Sequence, residues 1–168
     1  MKTIIRQFTV AALALASAAA FAADLGKMDQ AFVTKASGAG MYEVEISKLA
    51  ADKASDPAIK EFAQMMVTDH TKANDELKQL AESKNAQVAP GVPKDKQAII
   101  DKMSKLDGAK FDKAYHAQVG LKDHKADIAL FNKEAKSGTD ADLKAWADKT
   151  LPTLKTHLEH AQAIKPKA

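Results

Sequence analysis

Apolar residues recur along this chain at steps of three and four, the period of a helix with one buried face. They do so in four long stretches. The first runs from about Leu25 to Lys53 along Leu25, Met28, Phe32, Ala36, Ala39, Glu43, Ile46 and Ala50. The second opens at Asp56-Pro57, a capping side chain followed by a proline suited to the first helical position. It runs to about Ser83 along Ile59, Phe62, Met66, His70, Ala73, Leu77 and Leu80. The third spans about Ala109 to Lys136 along Phe111, Ala114, Gln118, Leu121, His124, Ile128, Phe131 and Ala135, and stops before Gly138. The fourth opens with Thr139 as cap and Asp142 three residues on, then follows Leu143, Trp146, Thr150, Leu154, His157, Ala161 and Ile164. Pro152 inside it removes a backbone hydrogen bond and predicts a kink.

Asn85 to Pro93 is a polar connection, and Lys94 to Leu106 reads as a short helix broken by Asp107-Gly108. Nothing alternates with period two for long enough to make a sheet. The pattern predicts an all-α fold: a four-helix bundle with a long connection carrying a short helix between the second and third long helices. Such a link suits the end-to-end crossover of ferritin-like folds. No sequence repeat is evident.

Each seam carries one residue able to bind a metal: Glu43, His70, His124 and His157. A polar group buried without a partner costs roughly 2–7 kcal/mol, so four of them on oily stripes call for an explanation. A rise of ~1.5 Å per residue puts all four near mid-height, whether or not the link crosses the bundle. Three neutral imidazoles and a carboxylate suit a transition metal such as Zn, Cu or Fe. Asp69, beside His70, could orient a ligand. The rival reading is a structural cluster in which Glu43 pairs with a protonated histidine. His116 and His160 lie off the stripes or at the surface, and Met41, Met65 and Met66 read as core filler. The Glu-x-x-His pairs of di-iron carboxylate bundles are absent, since Val67, Leu121 and Leu154 stand three before the histidines. No catalytic triad, P-loop or dinucleotide fingerprint occurs, and no organic cofactor is expected.

Lys2 and Arg6, the apolar run Phe8 to Ala16 and the small-x-small site Ala20-Phe21-Ala22 predict a Sec-type signal peptide over 1–22, cut after Ala22. The bundle domain is then 23–168. Setting Lys2 and Arg6 aside from the 25 Lys and Arg leaves a near balance with the 22 Asp and Glu, and so no reason to expect nucleic acid. With no Cys, disulfides and thiolate ligands are excluded.

Certain stretches carry a family likeness. They are Glu43-Val44-Glu45 followed by Leu49-Ala50, Phe62-Ala63-Gln64-Met65-Met66-Val67 leading into Asp69-His70, Phe111-Asp112 with Tyr115, His124, and Leu151-Pro152 before His157. In this combination the chain resembles a bacterial family of exported ferritin-like proteins of unknown function, domain-of-unknown-function family 4142, whose members are often labelled outer-membrane proteins. The resemblance implies an exported ferritin-like bundle and supplies no reaction. With neither barrel strands nor a membrane-spanning segment in the mature chain, the expected location is the periplasm. Peripheral envelope association and homo-oligomerisation stay open. Three functions compete: a metal-binding bundle, a non-enzymatic envelope or stress-associated module with a structural Glu/His cluster, and a redox enzyme.

Overall fold

A computed structural model describes residues 25–167, and the signal-peptide reading lies outside them. The described residues are all-helical apart from connections. They form α1 (Lys27–Lys53), α2 (Pro57–Ser83), α3 (Lys94–Met103), α4 (Gly108–Tyr115), a π-helical segment (His116–Asp123), α5 (His124–Ser137) and α6 (Ala141–Ala163). The third predicted helix is thus one rod with a widened middle. α6 continues through Pro152 as a single helix.

α2 starts as its sequence requires: Asp56 accepts from the Ala58 N–H at 2.9 Å and Pro57 follows. α6 starts one residue later than expected. Asp140, not Thr139, caps it, accepting from the N–H groups of Asp142 and Leu143 at 3.1 and 3.0 Å. Thr139 points elsewhere, and its hydroxyl and N–H both donate to the Asp29 carboxylate at the start of α1.

The connection between α2 and α4 climbs the full height along α1. Gln87 N–H donates to Gln30, Ala89 N–H to Ser37, Lys96 lies over the Tyr42 ring, and Lys53 donates to the Ser104 carbonyl. At the lower end Lys84 pairs with Asp140 at 3.0 Å, so α2 ends where α6 begins. The rod from α4 to α5 therefore descends and α6 returns, ending with Lys167 N–H beside Asp56.

Two turns are fastened alike. Asp112 of α4 accepts from the N–H groups of Ser55 and Asp56 at 3.1 and 2.9 Å and from the Ser55 hydroxyl, holding the α1–α2 turn. Asp29 of α1 accepts from the N–H groups of Thr139 and Asp140 and from the Thr139 hydroxyl, holding the α5–α6 turn. Each turn reads Ser/Thr-Asp, and each clamp comes from the opposite pair of helices. Glu43 follows Asp29 and Asp127 follows Asp112 at spacings that differ by one residue, which the π segment absorbs. Sequence inspection missed this internal likeness because it rests on a few positions.

The core has two apolar parts. The upper one gathers Tyr42, Ile46, Ile59, Phe62, Met66, Phe111, Tyr115, Val119 and Ala161. The lower gathers Phe32, Val33, Leu77, Phe131, Leu143, Trp146, Leu151 and Leu154. On every long helix the polar seam residue falls where the upper part gives way to the lower.

Candidate metal centre

His70 lies on α2 between Met66 and Leu77, and burial follows from the stripe it interrupts. His157 lies on α6 between Leu154 and Ala161. His124 opens α5 directly after the π segment. One ligand atom from each of these three, all within 4.8 Å of one another, makes the group capable of holding an ion. Ring centroids are 5.7 Å apart for His70–His124, 5.4 Å for His70–His157 and 5.3 Å for His124–His157.

Hydrogen bonding fixes where the protons are. His124 Nδ1 lies 2.8 Å from the Val119 carbonyl, which can only accept, so Nδ1 carries the proton. His157 Nε2 lies 2.9 Å from Asp69 Oδ2 and donates to that carboxylate. This leaves His124 Nε2 and His157 Nδ1 facing each other at 3.3 Å, each with a lone pair when the rings are neutral. His70 Nε2 is buried with no partner at all. His70 Nε2 offers a third lone pair when that ring carries its proton on Nδ1, so three nitrogens can turn lone pairs into one polar waist. A tetrahedral ion with metal–nitrogen bonds of ~2.0–2.1 Å sets its ligand nitrogens about 3.3 Å apart, the spacing of the His124–His157 edge.

Burial keeps these rings neutral. It pushes His70 well below the ordinary histidine range, with His124 and His157 adding to the effect. It brings His124 down to about 4 against the opposing pull of the Val119 carbonyl. It lowers His157 despite Asp69.

Glu43 is buried in the same waist but stands outside the group of three. Both its oxygens lack a hydrogen-bond partner, so it pairs with no histidine. Burial, then the charges of Asp127 and Asp123, hold its carboxyl well above the usual range. Asp69 does orient a ring, but it is His157 on α6 rather than its neighbour His70. His116 donates from Nε2 to the Ala161 carbonyl at 2.7 Å, and His160 is exposed.

Sequence reasoning missed Asp127, one turn after His124. Burial, then Asp123, pushes it up to about 7. The spacing of three from His124 was the available signal. It also missed Asp123, which accepts from Tyr42 (3.1 Å), Lys96 (2.7 Å) and Gln118 (3.0 Å) and so pins the π segment to α1 and α3. A cleft of about 30 Å³ adjoins the site, lined by Asp69, His70, Asp127, Trp146, Thr150 and His157 among others.

Fold and site together define an all-helical protein built around a buried tri-histidine cluster. The chain belongs to the family described as Domain of unknown function (DUF4142), whose pattern matches residues 14–164. Two solved structures share its fold. A DUF305 fragment from Deinococcus radiodurans superposes with a TM-score of 0.72 at 7% identity, covering 83% of this chain and 96% of that one. A DUF305 protein from Streptomyces coelicolor, described as a candidate secreted protein, gives 0.67 at 15% identity, covering 80% and 89%. No curated protein matches the sequence. Among the described residues no helix is long and apolar enough to cross a membrane.

Proposed function

We propose that this chain is an exported, periplasmic ferritin-like four-helix bundle that holds one divalent transition-metal ion on His70, His124 and His157. The observation that carries this reading is the pair of lone pairs at 3.3 Å between His124 and His157, beside the unpartnered His70 nitrogen. A cation between them turns a repulsive, unsatisfied waist into a bonded one. The outer contacts fit the same reading: a ligating histidine commonly donates its other N–H to a carboxylate or a carbonyl, as His157 does to Asp69 and His124 to Val119. Zinc, copper and iron all accept imidazole, and the donor set does not choose among them.

Burial holds Glu43 and Asp127 toward their neutral forms, and a cation on the three histidines would favour ionising them. Glu43 enters the coordination shell only by shifting from its present position. Elemental analysis of protein purified from the periplasm without an affinity metal tests the reading. Near-stoichiometric metal in the wild type, lost in His124→Ala, is expected. A metal-free wild type that takes up neither zinc nor copper overturns it.

A further inference from the structure

We propose that the cleft beside Trp146 and Thr150 is the open coordination side of this centre, admitting water or one neutral diatomic molecule to the metal. The inference rests on the tri-histidine reading and names what such a site would take.

Three observations carry it. First, the group of converging ligand atoms holds three residues among those described, and three protein ligands leave a fourth position for an exchangeable one. Second, the cleft is walled by two of the three ligands, His70 and His157, so a molecule inside it meets the side of the cluster. Its volume of about 30 Å³ holds one or two waters or a diatomic molecule, and nothing the size of a sugar or nucleotide. Third, the charged side chains in its wall are the carboxylates Asp69 and Asp127, with no Lys or Arg, and the rest is mostly apolar. Such a wall, Asp69 above all, works against small anions by offsetting the ion's own positive charge, while giving a neutral molecule a dry path. Glu43 offers no competing route to the cleft, for it is not among the lining residues.

The test uses the full mature protein loaded with Co(II), whose visible and paramagnetic spectra report coordination. Nitric oxide, added without oxygen, is expected to change both spectra, while azide at equal concentration changes neither. Thr150→Phe and Ala73→Leu fill the cleft from two helices without replacing a ligand. Both are expected to keep Co(II) and to weaken the nitric oxide response by about tenfold or more. A bound Co(II) that ignores nitric oxide shows a closed shell and overturns the open position while leaving metal binding intact. An undiminished response in both filled variants overturns the cleft as the route. A response to azide equal to that for nitric oxide overturns the selection for neutral ligands. Failure to bind Co(II) removes the metal reading and this inference with it.

Discussion

His124 Nε2 and His157 Nδ1 face each other at 3.3 Å, and the other nitrogen of each ring is already committed to an acceptor. Two neutral imidazoles so arranged repel. The contact becomes favourable when a cation lies between them, or when one ring is protonated at a cost set by burial.

Asp69 should therefore tune the site without being part of it. Asp69→Ala removes the acceptor that holds His157 in its tautomer, and is expected to weaken metal binding by about 10–100-fold with folding intact. Calorimetric titration with zinc measures this. An unchanged affinity would mean that His157 is oriented by packing alone.

Metal affinity should be insensitive to pH over an unusual range. The folded rings are held below the ordinary histidine value, His124 at about 4, so protons compete with the metal only in acid. In a Glu43→Gln, Asp127→Asn background, which removes the two raised carboxyls, affinity is expected to stay level from pH 8 down to about 5 and to fall below that. A drop centred near 6.5 would show rings titrating as if solvated.

Glu43→Gln should stabilise the metal-free protein at neutral pH and leave the metal stoichiometry unchanged. Burial raises the folded carboxyl above its unfolded value of about 4.3, so the folded state holds the proton longer. The Glu43 contribution is present below that value and is lost as pH rises toward the folded one. The stability gap between variant and wild type should thus widen from pH 4 to pH 8 in urea titrations. A gap that is flat with pH would mean that Glu43 is solvated.

Gly120 brings the π segment onto α6: a Cβ there would stand 2.9 Å from the Ala161 Cβ. Gly120→Ala is expected to cost about 1–3 kcal/mol, and Ala161→Gly in the same chain should recover much of it. Equal stability of single and double variants would place the strain elsewhere.

The fold was legible where local rules act alone. Asp56-Pro57 starts α2, Gly138 follows the end of α5, and the first, second and fourth seams mark the buried faces. The three histidines were legible too, because an imidazole on an apolar stripe has nowhere else to go. The third seam was harder. Phe111, Tyr115 and Val119 are buried ahead of Asp123 and His124, whereas Ala114, Gln118 and Leu121 are only half-buried. One extra residue in the π segment changes which side faces inward, and periodicity cannot announce a single insertion. Thr139 was misread as a cap because its partner, Asp29, lies 110 residues away. Asp127 and Asp123 look in the sequence like any other helix charge, since only the packed helices bring Glu43, Lys96 and Tyr42 up to them.

Asp112 and Asp29 each fasten a hinge belonging to the other half of the molecule. Neither half, cut out as a fragment, would keep its own lock. The chain must close as a whole before the imidazoles meet, so occupancy of the waist is also a readout of completed assembly.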